Sequence, residues 1–308
     1  MRTIIEHSIP HSVIPHSPFN NVTLLEAINR AASQFAAAGI SNARLDAEVL
    51  LCHTLGKDRA WLLAHIPDAL DDDGLRLFEQ AGKRRAAREP LQYITGKQEF
   101  WGLEFMVTPD VLIPRPETEL IIESILRPGE DRNRLLRVID LCTGSGCIAV
   151  SLAKELPQAR ILATDKSPKA LSIAGENARR HGVADSIRFF EGDLFGPLEE
   201  LDIHDQVDII AANPPYVPAV DYGTLQPEVR DYEPEMALLA GPNGTEVHSR
   251  ILEEAPAFLK KHGMLIMEMG AGQADILVQM ARQAGSYHPP EILKDLAGID
   301  RVITMKKK

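Results

Sequence analysis

Two kinds of apolar spacing divide the chain. From Thr23 to about residue 88, apolar residues recur every three or four positions, the period of helices that bury one face. "TLLEAINRAASQFAAAG" opens on Thr-x-x-Glu, where hydroxyl and carboxylate can satisfy each other's free N–H groups, and closes on Gly39. "NARLDAEVLLCHTLG" repeats the scheme, with Leu45, Val49 and Cys52 on one face and Gly56 after it. Shorter helices are predicted near Arg59–His65 and Asp71–Arg88, so a small all-α domain spans 21–88. Its last helix carries "KRRAARE", a basic run that reads as a solvated face or as a docking patch.

The texture then changes. "QEFWGLEFMVTPDVLIPRPETE" alternates bulky residues around Gly102 and carries prolines at 109, 114 and 116, which predicts a β-hairpin and stiff linker over 89–116. From 117 to 308 short apolar runs alternate with helical stretches: "LLRVIDL", "CIAVSLAKEL", "RILATD", "SPKALSIAGENARRHG", "SIRFFEGD", "VDIIAAN". Later come "RILEEAPAFLKKHG", "MLIMEMG", "ADILVQMARQAG", "PEILKDLAG" and "DRVITMKK". The alternation predicts an α/β domain, doubly wound, with an open and mainly parallel sheet covered on both faces. Ligands of such sheets sit at the carboxyl ends of the strands.

Composition narrows the function. Lys and Arg number 33 against 44 for Asp and Glu, a net charge of −11, so no direct nucleic-acid partner is expected. Three cysteines (Cys52, Cys142, Cys147) are too few for a disulfide framework, and no apolar run is long enough for a membrane span. Residues 1–20 are broken by Pro10, Pro15 and Pro18, lack the apolar core of a signal peptide, and read as a flexible leader. His7, His11 and His16 lie among those prolines without a Cys or carboxylate cluster, so no metal site is expected. A cytoplasmic protein is the expectation.

The candidate chemistry lies at strand ends. "VIDLCTGSGCIA" ends a strand in a glycine turn before a helix; Gly144 and Gly146 permit geometry and close ligand approach that a Cβ would block. The spacing Gly144-x-Gly146-x-x-Ala149 also satisfies the loose dinucleotide fingerprint, which leaves NAD and other adenosine cofactors open. Asp140 at the mouth of this loop suits a cationic, phosphate-free ligand such as S-adenosyl-L-methionine better than a pyrophosphate. Asp165 ends the second strand, where an acid accepts ribose hydroxyls, or else caps the helix beginning near Ser167. Asp193 follows the third strand, placed for an adenine edge, with Leu194 to flank the ring.

A fourth strand end reads Asn213-Pro214-Pro215-Tyr216. Two prolines remove two backbone donors and hold the residues before them extended. The corner is rich in acceptors: the Asn213 side-chain oxygen and the Pro214 carbonyl can each take one N–H of a planar –NH2 group, with Tyr216 as a flat wall. Such a grip orients a poor nitrogen nucleophile toward a methyl donor.

This four-residue motif resembles that of amino-methyltransferases, which modify nucleobase amino groups or glutamine amides. The stretch "REPLQYITGKQEFWGLEFMVTPDVLIPRPETELIIE", with "YEPEMALLAGPNG" and "DLAGIDRVITM", is similar to the HemK/PrmC family of peptide chain release factor N5-glutamine methyltransferases, over nearly everything after residue 21. The resemblance implies a seven-stranded class I (Rossmann-like) methyltransferase domain over 117–308. It implies methyl transfer from S-adenosyl-L-methionine, leaving S-adenosyl-L-homocysteine, to the glutamine of the Gly-Gly-Gln loop in bacterial class I release factors. By resemblance, Asp140 and Cys142, Thr143, Gly144, Ser145 and Gly146 surround the methionine part of the cofactor. Asp165 holds the ribose, and Asp193 with Leu194 flanks the adenine. Asn213, Pro214, Pro215 and Tyr216 grip the substrate amide. Pro114 and Glu117 line the mouth, Glu117 as the nearest candidate proton acceptor, and the helical domain recognises the release factor body. "DLCTGSGCIA", with Cys142 where many members have Gly, is more like the sister enzyme that methylates ribosomal protein L3, whereas "IPRPE" sides with release factors. The remaining alternatives are a nucleic-acid amino-methyltransferase, a cofactor-binding adaptor without activity, and an NAD-dependent oxidoreductase. A monomer is expected.

Overall fold

The computed structural model describes residues 22–126 and 131–308. The leader expected over 1–20 and its three histidines lie outside the described residues. The chain divides into two compact units, the second beginning at Arg88.

Among its described residues the first unit contains four helices: α1 (Leu24–Ala37), α2 (Ala43–Leu55), α3 (Arg59–His65) and α4 (Asp72–Ala86). The Thr23 hydroxyl accepts from the Glu26 N–H at 3.2 Å, and the Glu26 carboxylate accepts from the Thr23 N–H at 3.0 Å, completing the reciprocal cap of α1. α2 turns differently from the expectation. It buries Ala47, Leu50 and Leu51, while Leu45 is exposed and Cys52 half-buried. Asp46 and Glu48 turn inward on this helix because each has a cation: Arg85 bonds Asp46 at 2.8 Å, and Arg44 and Arg59 bond Glu48. The basic run 83–89 is therefore no uniform surface patch: Arg85 is buried against Asp46, and Arg88 pairs with Glu228 in the second unit's own fold.

The second unit opens with a short helix that the spacing did not announce, α5 (Leu91–Thr95), then a hairpin of β1 (Lys97–Phe100) and β2 (Leu103–Met106). The segment expected as a separate linker, 89–116, lies within this unit. α6 (Glu119–Ile125), β3 (Arg137–Leu141), α7 (Cys147–Glu155), β4 (Arg160–Asp165), α8 (Pro168–Arg180), β5 (Ile187–Glu191) and β6 (Val207–Ala212) follow. A small parallel pair, β7 (Val217–Pro218) with β8 (Leu239–Gly241), brackets α9 (Pro227–Tyr232). The chain closes with α10 (Glu246–Phe258), β9 (Leu259–Glu268), α11 (Ala274–Ala284), β10 (Glu291–Lys294) and β11 (Asp300–Lys306).

The seven-stranded sheet has the order β10-β11-β9-β6-β3-β4-β5. β5, β4, β3, β6 and β9 run parallel; β11 is antiparallel to β9, and the edge strand β10, antiparallel to β11, returns to the common direction. Apolar clusters cover both faces, one built around Ile122, Ile148 and Leu152, the other around Phe195, Phe258 and Leu277. Within "RILEEAPAFLKKHG" the helix α10 stops at Phe258. Leu259 already pairs with Val207, and the next matched pair is Ile209 with Met264, so the intervening residues bulge out of β9. His262 takes φ +64 there, and a Cβ on Gly263 would stand 2.9 Å from the Val207 carbonyl oxygen.

Candidate active site

Strand order brings the two distinctive motifs together. β3 lies between β4 and β6, the point where the winding of the sheet reverses, and Leu141 stands opposite Ala212. The next residues of both strands, the Cys142–Gly146 loop and the Asn213–Tyr216 corner, therefore leave the sheet side by side. A cavity of about 310 Å³ lies against them, lined mainly by apolar surface with three carboxylates (Asp110, Asp165, Asp193) and one lysine, Lys166. Pro114, Cys142, Thr143, Gly144, Ser145, Leu194, Asn213 and Pro215 also line it. Asp140, Gly146, Pro214, Tyr216 and Glu117, expected at the same site, do not.

The glycine loop explains part of that difference. Gly144 has φ +54, and a Cβ there would meet nothing closer than the Cys142 carbonyl oxygen at 4.0 Å, so its bare face opens on the cavity. Gly146 has φ +81, but a Cβ there would come within 3.0 Å of Ala174 Cβ on α8. Its role is close helix packing, not ligand approach. Asp140 is fully buried behind the wall. Its Oδ2 accepts from the Thr143 hydroxyl at 2.5 Å, Oδ1 has no hydrogen-bond partner among the described residues, and burial pushes the carboxyl up to about 7. It ties down the turn from within, which leaves the electrostatic preference of the cavity to the carboxylates that line it.

Asp165 serves both readings made of it. Its Oδ2 accepts from the Gly144 N–H at 2.8 Å and its Oδ1 from the Ser167 N–H at 2.9 Å, which pins the loop to the start of α8. Burial raises its pKa, and the two backbone donors oppose the rise. Each oxygen keeps a second lone pair, and Asp165 lines the cavity. Asp193 is not free: Arg250 Nη1 bonds its Oδ2 at 2.8 Å and Lys166 Nζ its Oδ1 at 3.2 Å. Leu194 beside it is buried with φ +49.

The Asn213 corner is held by residues far away in sequence. Asn213 Nδ2 donates to Thr118 Oγ1 at 3.1 Å. Neither Asn213 Oδ1 nor the Pro214 carbonyl accepts a hydrogen bond from any described residue. The Tyr216 hydroxyl donates to Glu268 Oε1 at 3.3 Å, and its backbone carbonyl accepts from Gln273 Nε2 at 2.9 Å. Burial and the neighbouring Glu268 raise the pKa of the phenol, so it remains a neutral donor. Gly244, at φ +80, admits this arrangement because a Cβ would lie 2.6 Å from the Tyr216 carbonyl oxygen.

Sequence reasoning missed the supports. Thr118, one residue past Glu117, lines the cavity and donates to Glu268 Oε2 at 2.5 Å. Glu268 is buried at the end of β9. Asn177 on α8 exchanges bonds with both backbone groups of Met106 and donates to the Ser145 carbonyl at 2.9 Å, which fastens hairpin and glycine loop together. Glu233, buried in "YEPEM", bonds Arg115 at 2.5 Å and the Ile113 N–H at 3.4 Å, joining two motifs that the sequence shows only apart. Of these only Glu268 carried a signal, an acid inside the apolar run "MLIMEMG".

Comparison with known proteins agrees with this geometry. Residues 26–96 match the PrmC N-terminal domain family, and residues 132–271, which contain both motifs, match a methyltransferase domain family. The release factor glutamine methyltransferase of Geobacter sulfurreducens is 42% identical over 281 residues, 91% of this chain and 95% of the relative. The chain belongs to the release factor glutamine methyltransferase family. Its Moorella thermoacetica member is likewise 42% identical, over 91% of this chain and 97% of its own. Among solved structures, the hMettl16 catalytic domain in complex with MAT2A 3'UTR hairpin 6 has a TM-score of 0.50 at 18% identity, covering 73% of this chain and 81% of that one. That likeness shows the methyltransferase fold alone. Release factor glutamine methyltransferase sequences align with both units of the chain, helical and α/β. No helix among the described residues is long and apolar enough to cross a membrane.

Proposed function

We propose that this chain methylates the side-chain amide nitrogen of the glutamine in the Gly-Gly-Gln loop of bacterial class I release factors, using S-adenosyl-L-methionine. The observation that carries the reading is the corner itself. Asn213 spends its –NH2 on Thr118 and leaves its oxygen, like the Pro214 carbonyl, without a donor. Asn213 lines the cavity and Pro214 is the next residue behind its wall, so two unused acceptors at this corner match the two N–H groups of a carboxamide.

The cavity also fits the cofactor. Of the three lining carboxylates, Asp110 and Asp193 are paired with cations, Lys166 among them, and Asp165 is held by backbone N–H groups. A wall whose lysine is already paired and whose Asp165 has no cation among the described residues suits a ligand carrying an ammonium and a sulfonium and no phosphate, and the bare face of Gly144 gives room for it. Cys142 to Ser145 would hold its methionine part, Asp165 its ribose hydroxyls, and Asp193 with Leu194 its adenine. The bound cofactor supplies an electrophilic methyl group on sulfur. The chain's own contribution is orientation: Asn213 and Pro214 hold the amide nitrogen in place, with Pro215 beside it, and the apolar lining excludes water. Of the residues expected at the mouth, Pro114 lines the cavity, and Glu117 is kept as the candidate proton acceptor. We assign residues 21–88 to recognition of the release factor body, and 117–308 to the transfer itself.

Mass spectrometry of a purified class I release factor, incubated with enzyme and S-adenosyl-L-methionine, tests this. One methyl gained on the Gly-Gly-Gln glutamine is expected. Cofactor binding with no gain on the release factor, or transfer to ribosomal protein L3 or bare RNA or DNA in parallel tubes, overturns it.

A further inference from the structure

A carboxamide has no built-in direction. Its two ends differ in one being donor and the other acceptor, and half a turn exchanges them. The function proposed above needs the Asn213 oxygen toward the cavity, so something must set that choice. The hydrogen bonds around it do. Thr118 Oγ1 has a single proton, given to Glu268 Oε2 at 2.5 Å, which leaves only lone pairs toward Asn213. Asn213 then has to turn its Nδ2 to Thr118, at 3.1 Å, and its Oδ1 the other way.

We propose that Glu268, acting through Thr118, is the positioning residue that sets the polarity of the Asn213 carboxamide and so makes the cavity accept an amino group. The inference rests on the amino-group reading of the site and adds a regulation to it. An ionised Glu268 is acceptor-only and enforces the arrangement. A proton on its Oε2 reverses the chain: Glu268 donates to Thr118, Thr118 donates to Asn213 Oδ1, and the Asn213 –NH2 faces the cavity. Two –NH2 groups then meet, and the grip is lost.

The surroundings place this change within reach. Glu268 is 2% exposed. Facing it are Thr118 and Glu117 from the turn before α6, Tyr216 from the corner, Arg301 from β11 and Cys147 from α7. His248 on α10 bonds its backbone carbonyl through Nε2 at 2.8 Å. Burial raises the carboxyl, the two hydroxyls lower it, and Glu117 and Arg301 add smaller, opposed effects; the result is a group pushed up to about 7. The competent, ionised form therefore prevails above that value and fades below it.

The direct test is NMR of the Asn213 side chain, with asparagine selectively labelled with ¹⁵N and the signal assigned by its loss in Asn213→Ala. In the intact chain, the Asn213 –NH2 pair is expected to titrate with a midpoint near that of Glu268, and in Glu268→Gln it should not. Turnover on a release factor should fall on the order of 10- to 100-fold on the acid side in the parent chain, a misaligned-nucleophile effect. Glu268→Gln should flatten that profile. Thr118→Ser, which keeps the hydroxyl, should retain the inflection, and Thr118→Val should abolish it. Asn213 signals that stay fixed from about pH 5 to about pH 9, or titrate alike in Glu268→Gln, overturn the proposal. A chain whose Asn213 titrates yet methylates no amide upholds this inference and defeats the function proposed above; one that methylates without the titration does the reverse.

Discussion

Asn177→Ala removes a single buried side chain with three bonds. Its Nδ2 donates to the Met106 carbonyl at 3.0 Å and the Ser145 carbonyl at 2.9 Å, and its Oδ1 accepts from the Met106 N–H at 2.8 Å. It caps the open edge of β2 as another strand's backbone would, and in the same stroke holds the glycine loop. Each lost bond is worth about 1 kcal/mol net, and a partner stranded without water costs about 1–3 kcal/mol. The Ser145 carbonyl is enclosed and bears the full penalty, while water can reach Met106 in part. The total comes to about 3–5 kcal/mol for the second unit. The assay is urea unfolding followed by the fluorescence of Trp101, which sits in the hairpin turn with its Nε1 on Glu155 at 3.0 Å. Trp61→Phe removes the chain's other tryptophan and leaves this reporter alone. The same variant should bind S-adenosyl-L-methionine more weakly, since Ser145 loses its anchor. A shift below about 1 kcal/mol would mean that water replaces Asn177 at all three bonds, and the account of the loop as a tethered cradle would fail.

Three further outcomes are expected. Asn213→Ala should lower turnover about 100- to 1000-fold, the scale of removing one preorganised polar partner from a transition state, while calorimetry finds cofactor affinity nearly unchanged; intact turnover refutes the assignment. Gly144→Ala and Gly146→Ala should each cost the ~1–2 kcal/mol of a left-handed L-residue, but Gly146→Ala adds contact with Ala174 and should destabilise the second unit more, whereas Gly144→Ala should in addition weaken cofactor binding; urea unfolding and calorimetry separate the two, and equal effects at both glycines contradict the geometry. Asp140, raised from 3.8 to about 7 by burial, favours the folded state when protonated. Its contribution is complete below the unfolded value and is lost as pH rises to its folded one, so Asp140→Asn should show a smaller fall in melting temperature between about pH 5 and about pH 8 than the parent chain. Equal slopes would show that Asp140 is ionised throughout.

The elements legible in the sequence were those whose cause is local. The Thr23–Glu26 cap acts within its own helix turn, and the prolines after Asn213 act on the backbone beside them. The α/β alternation placed both motifs at strand ends, and the strand order then made those ends neighbours. Errors arose where a partner elsewhere overrode periodicity. α2 rotated because Asp46 had Arg85 to meet, and "RILEEAPAFLKKHG" divided between α10 and β9 because Leu259 paired with Val207.

By itself, then, the sequence determined the helical and α/β units, the glycine turn and the donor-poor corner, because glycine and proline limit the backbone wherever they stand. The tertiary structure alone decided which polar groups serve them. Thr118 meets Asn213 across 95 residues and Glu268 across 150, and Asn177 reaches Met106 across 71. A hydroxyl or a carboxylate carries no preference for such a partner in its own chemistry. Sheet order and burial choose it, since a polar group shut away from water must bond to whatever the fold brings within 3 Å or so.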